Sequence, residues 1–211
     1  MRTAILRRCS GGVAEAGCGK ERKRAARQAI WLSATLCLLA LAGCADFSNN
    51  RNVFMGDSIT KAWSLPGVNL GVPGNTTAQM LARFPDEVPG HQYRVFALLG
   101  GINDLRGGRT PEEILGDITA MAEAARSAQM DVILSEVLPD YHDDMRYDPK
   151  IRELNAMIVQ LADSQHYQVV DYYDPMYGHP EYFVDGLHPN AEGYAVMDRE
   201  LAPALESVAG N

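Results

Sequence analysis

Beyond residue 44 this 211-residue chain has no cysteine: Cys9, Cys18, Cys37 and Cys44 are all in the first 44 residues. The body therefore forms no internal disulfide and holds no Cys₂His₂-type zinc site. The body also has few basic residues. Residues 1–44 take 8 of the 19 Lys and Arg but only 2 of the 27 Asp and Glu, which leaves 11 basic against 25 acidic side chains, a net charge of −14. Phosphate backbones are bound by cationic side chains, so this balance argues against a nucleic-acid binder and for a solvated acidic surface. No apolar run reaches the ~20 residues of a membrane-spanning helix. Internal repeats, low-complexity segments and a long Pro- or Ser-rich tether are also lacking. What remains, 46% hydrophobic and 22% charged, is ordinary for one globular domain.

The amino terminus reads as an address. The basic stretch Lys20-Glu21-Arg22-Lys23-Arg24-Ala25-Ala26-Arg27 precedes a short apolar run, Ile30 to Ala42. Basic region, short apolar region and small residues make a secretory signal. The run ends Leu41-Ala42-Gly43-Cys44, which resembles a bacterial lipobox and implies cleavage before Cys44 and lipid on its thiol. Ala45 in place of Asp after that cysteine resembles lipoproteins bound for the outer membrane, facing the periplasm. The basic region is longer than usual and includes Glu15 and Glu21, so a start downstream of Met1 stays open. The expected division is a signal over 1–43, a lipidated Cys44 with a linker to residue 51, and one domain over 52–211. Seven extended residues reach ~25 Å at most, which keeps the domain close to its membrane.

In the body, short apolar runs alternate with helical patterns. Strands are expected at Val53–Met55, Val68–Val72, Val95–Leu99, Val132–Leu134 and Val169–Asp171. Helices are expected over Thr76–Phe84 with an Asn75 cap, from Pro111 to about Ala128 behind a Thr110 cap, from Pro149 to about Gln165, and from Ala191 to about Ser207. This alternation implies a parallel sheet with helices on both faces. The polar and aromatic loop Asp140–Asp148 follows the fourth strand, on the edge where such sheets place their ligands.

Val53-Phe54-Met55-Gly56-Asp57-Ser58 puts a serine on that edge, at the end of the first strand. Asp185-Gly186-Leu187-His188-Pro189 supplies a carboxylate and an imidazole three residues apart. Ester hydrolysis by serine needs a hydroxyl, a base, a carboxylate to orient the base, and donors for the oxyanion. Ser58, His188 and Asp185 fit the first three roles. Gly71-Val72-Pro73-Gly74-Asn75 and Gly100-Gly101-Ile102-Asn103-Asp104 follow strands two and three, where oxyanion donors are wanted. The nucleophile segment is Gly-Asp-Ser-Ile-Thr, not the G-x-S-x-G elbow of α/β-hydrolases.

These four segments, in this order, resemble the GDSL/SGNH hydrolase family. The resemblance covers nearly all of residues 52–206. It implies a flavodoxin-like three-layer α/β/α sandwich with a five-stranded parallel sheet, and a serine esterase needing no metal or organic cofactor. It further implies a triad of Ser58, His188 and Asp185, and an oxyanion hole formed by the Ser58 and Gly74 N–H groups and the Asn103 amide. Substrates left open are glycan O-acetyl groups, short esters, lysophospholipids and thioesters, and the same triad serves acyl transfer to a sugar hydroxyl. A non-catalytic envelope binding module is the reading from another class.

Each residue also has a plainer role. Gly74 serves a positive φ, and Asn103 serves as a loop brace. Asp57 and Asp104 hydrogen-bond their own loops. His142 beside Asp140, Asp143 and Asp144 suggests a metal, but clustered loop carboxylates without ligand spacing are more often solvated. Tyr172, Tyr173 and Tyr177 are expected to pack, with Tyr177 and Tyr182 near enough to the catalytic loop to touch substrate.

Overall fold

A computed structural model describes residues 51–209. The signal, Cys44 and the linker up to residue 50 lie outside the described residues. Five parallel strands are ordered β2-β1-β3-β4-β5: β1 Asn52–Gly56, β2 Val68–Gly71, β3 Val95–Leu99, β4 Asp131–Ser135 and β5 Gln168–Val170. This is the doubly wound order whose direction reverses between β1 and β3. The helices are α1 Ser58–Ala62, α2 Thr77–Glu87, α3 Ile102–Arg106, α4 Pro111–Ser127, α5 Asp148–Gln165, α6 Tyr173–Met176 and α7 Ala191–Ala209.

Alternation along the strands divides the core into two sheets of side chains. Val53, Met55, Phe96, Leu98, Val132 and Leu134 pack with α2, α4 and α5 on one face. Phe54, Val95, Ala97, Leu99 and Ile133 pack with α1 and α7 on the other. Strands covered on both faces read as unbroken apolar runs, and β3 is buried at every position. The expected three-layer sandwich is thus the observed one.

The element ends differ in instructive ways. Thr76 caps α2, not Asn75: its side chain accepts from the Gln79 N–H while Gln79 returns a bond to the Thr76 N–H. That reciprocal box satisfies two of the helix's orphan donors, which one Asn cannot. Asn75 is then free for another use described below. α2 also continues past Phe84 to Glu87, carrying Pro85 near its end. Thr110 caps α4 through the expected box with Glu113. The five-residue helices at Ser58 and Ile102 and the four-residue helix at Tyr173 were not expected, being too short for a periodic apolar face.

Candidate active site

β1 delivers Ser58 to the carboxyl edge of the sheet at the point where the strand order reverses. Gly56 makes that turn possible. A Cβ there would lie 2.0 Å from Thr60 Oγ1 and 2.7 Å from the Leu99 carbonyl oxygen, so only glycine lets α1 start so close to β3. Asp57 caps α1, its Oδ1 accepting the Ile59 N–H at 2.9 Å.

Ser58, His188 and Asp185 form one hydrogen-bonded line. Ser58 Oγ lies 2.9 Å from His188 Nε2, and His188 Nδ1 lies 2.8 Å from Asp185 Oδ2. An ionised carboxylate only accepts, so Nδ1 carries the proton and Nε2 faces the hydroxyl as an acceptor. Asp185 Oδ1 accepts the backbone N–H groups of His188 at 2.8 Å and Leu187 at 3.0 Å. The His188 N–H above all, together with the imidazole, holds the Asp185 carboxyl well below the usual carboxylate range. It therefore stays ionised wherever the imidazole is neutral.

The loop that carries Asp185 and His188 is clamped by its neighbours. Phe183 and Pro189 form a bridge, and the Val184 N–H donates to the His188 carbonyl at 2.8 Å. The Tyr141 N–H donates to the Gly186 carbonyl at 2.8 Å, so the loop after β4 does pack against the site. The Tyr141 hydroxyl donates to the Met176 carbonyl and accepts from the Gly178 and His179 N–H groups. Asn190 then caps the terminal helix, accepting from Glu192 and Gly193. From α7, Tyr194 donates to the Ile59 carbonyl at 2.9 Å and ties the terminal helix to the helix that begins at Ser58.

The other expected oxyanion donors lie on the loops after β2 and β3. Gly74 is exposed, with φ +77 and no atom within 4 Å of a Cβ placed on it, so it is required by its conformation and not by crowding. Asn103 Nδ2 donates to the Asn75 carbonyl at 3.0 Å and lies 3.2 Å from Asp57 Oδ2. The amide thus ties the loops after β1, β2 and β3 together.

The profile of the GDSL-like Lipase/Acylhydrolase family matches residues 41–196. The chain belongs to that family. Its members are carboxylic ester hydrolases, and so is this protein. It is 23% identical over 199 residues to an arylesterase of Vibrio mimicus, covering 81% of this chain and 96% of that protein. It is 25% identical over 142 residues to thioesterase 1/protease 1/lysophospholipase L1 of Escherichia coli K12, 66% of each chain. The crystal structure of a GDSL-like lipase from Bacteroides thetaiotaomicron superposes with a TM-score of 0.69 at 32% identity, over 75% of this chain and 89% of that one.

Arg83 and the arginine partners of Asp104 and Asp140 were not singled out in the sequence of this GDSL-like hydrolase. Arg83 donates to the carbonyls of Leu70 at 2.7 Å and Gly56 at 3.3 Å and to Asn75 Oδ1 at 2.9 Å, and pairs with Glu87. It closes the carboxyl ends of β1 and β2 and holds the Asn75 turn that Asn103 meets. Asp104, fully buried, does not brace its own loop alone. It accepts the Thr77 N–H at 2.8 Å and Thr77 hydroxyl at 2.8 Å, and pairs with Arg109 at 2.5 Å. It anchors the start of α2, one turn after Gly74. Buried Asp140 pairs with Arg106 at 3.0 Å and accepts the His142 N–H. Among the described residues no group of three or more His, Cys, Asp or Glu side chains is placed to hold a metal. Tyr172 and Tyr173 are buried and pack as expected, whereas Tyr177 is 44% exposed and stacks on Tyr173. Tyr182 stacks on His179.

Proposed function

We propose that this hydrolase is a serine esterase for short acyl groups, with glycan O-acetyl esters as its natural class. The observation that carries the reading is the unbroken line from Ser58 Oγ through His188 to Asp185, at 2.9 and 2.8 Å. His188 Nε2 takes the Ser58 proton as Oγ attacks the ester carbonyl. The tetrahedral oxyanion accepts from the Ser58 and Gly74 N–H groups and the Asn103 amide. The imidazolium gives its proton to the leaving alkoxide, and acyl-Ser58 remains. A water, deprotonated by His188, then repeats the attack and releases the carboxylic acid. Every proton is moved by the chain's own groups, so the cycle calls for no metal or organic cofactor.

Acyl size follows from the walls. Each buried CH₂ gains ~0.8 kcal/mol only where an apolar groove receives it. The loops around Ser58 carry no long apolar insertion to build such a groove. Between Ser58 and Gly74 there are fifteen residues, filled by α1 and β2 with no helical lid.

The protein is further proposed to be anchored by lipid on Cys44 and to face the periplasm from the outer membrane. β1 enters the sheet at Asn52, on the edge opposite Ser58. The second reading, lysophospholipase or thioesterase, is favoured by the Escherichia coli relative, a thioesterase and lysophospholipase by name. Measuring kcat/KM for acetyl, butyryl, octanoyl and palmitoyl esters of one alcohol separates the two. A decline with chain length is expected, and a rise towards palmitoyl would make lysophospholipase the better name. Product analysis with an added sugar alcohol distinguishes hydrolysis from acyl transfer.

A further inference from the structure

Asp57, next to the nucleophile, is 1% exposed. Its Oδ1 caps α1 through the Ile59 N–H at 2.9 Å, and its Oδ2 faces Asn103 Nδ2 at 3.2 Å, across 46 residues of chain. The cap alone does not explain a carboxylate, because Ser, Thr or Asn caps a helix as well. The second contact does. The terminal amide torsion of Asn is broad and roughly two-fold, so Asn103 has an alternative in which its oxygen points where its nitrogen is wanted. A carboxylate only accepts, and therefore selects the rotamer with Nδ2 inward. The Asn75 carbonyl at 3.0 Å makes the same selection from the other side.

We propose that Asp57 is a positioning residue that acts through Asn103, fixing the amide that donates to the oxyanion. The proposal rests on the Ser58 triad reading above. The 3.2 Å contact is the longer of the amide's two and is the one a developing oxyanion, a stronger acceptor, shares. The donor is then in place before charge develops, which is the source of most oxyanion stabilisation. Burial pushes the Asp57 carboxyl up to about 6, against the opposing pull of the Ile59 N–H and His188. A group held at that disadvantage beside a nucleophile is a functional candidate on general grounds.

The test is a double-mutant cycle of Asp57→Asn and Asn103→Ala, read as turnover of p-nitrophenyl acetate. Asn at 57 keeps the shape and the Ile59 cap but turns an NH₂ towards Asn103, which then rotates its carbonyl inward. Asn103→Ala should lower kcat by ~10²–10³ with KM nearly constant. Asp57→Asn alone should lower kcat at least ~10-fold, and in the Asn103→Ala background it should cost less than about threefold, as expected of two residues acting as a unit. Asp57→Ser keeps the cap with a side chain too short for Asn103, and the same pattern is expected. Equal losses from Asp57→Asn in both backgrounds would overturn the positioning role alone. Undiminished kcat in Asn103→Ala would remove the oxyanion role and the proposal with it. Wild-type turnover in Ser58→Ala would instead refute the triad.

Discussion

A buried carboxyl held at about 6 makes a stability prediction whose sign is opposite to that of a merely structural residue. The ordinary value for Asp57 is 3.8, and burial is the largest cause of the rise. A group whose folded pKa is raised contributes its stability fully below the unfolded value and loses it as pH rises through the folded value. For Asp57 that window runs from about 4 to 6. The gap of about 2 pH units, at 1.36 kcal/mol each, makes ionised Asp57 cost the folded protein about 3 kcal/mol above the window. Asp57→Asn removes the charge and gives up one hydrogen bond, worth about 1 kcal/mol. The variant should therefore be more stable than wild type at pH 8 by about 2 kcal/mol, and slightly less stable at pH 4, while turning over ester more slowly. Glu136, pushed up to about 7 by burial and by Asp171 and Asp174, titrates nearby but is common to both proteins and cancels. Urea unfolding of wild type and variant at pH 4, 6 and 8 reads the difference. A stability gap that stays constant across that range would refute the reasoning.

Two further outcomes are expected. Because the Asp185 carboxyl is held well below the usual range, activity lost on acidification does not belong to Asp185 but to protonation of the proposed base or of Asp57. kcat/KM should therefore rise with pH along an acid limb and level off; a flat profile from about pH 5 to 9, with chemistry limiting, would exclude His188 as the base. Wild-type protein should fractionate with membranes and carry lipid on Cys44, whereas Cys44→Ala should not be lipidated; mature, unlipidated wild type in the periplasm would refute the anchor.

The candidate triad was legible in the sequence because each of its members sits in a local motif with its own logic. Ser58 closes an apolar strand, and Asp185 and His188 are three residues apart in a Pro-ended loop. The five strands were legible for the same reason, as short apolar runs bounded by Gly and Asp. The cap of α2 was placed one residue early, because Asn75 and Thr76 are both good caps and the reciprocal bond from Gln79 decides between them. What could not be read were the contacts across the chain. Asp57 meets Asn103, Arg83 closes two strand ends, and Tyr141 reaches Gly186 and Met176. Such long-range bonds leave no periodicity and no spacing, so a residue like Arg83 reads as one more surface charge until the sheet edge is assembled around it.

The nucleophile is tested most directly by labelling the protein with a fluorophosphonate, mapping the adduct by mass spectrometry, and assaying Ser58→Ala against p-nitrophenyl acetate. We expect a single phosphonyl adduct on Ser58, and a Ser58→Ala protein that unfolds like wild type but neither labels nor turns over the ester. An adduct elsewhere, or wild-type turnover by folded Ser58→Ala, would contradict the assignment of Ser58 and His188 as nucleophile and base.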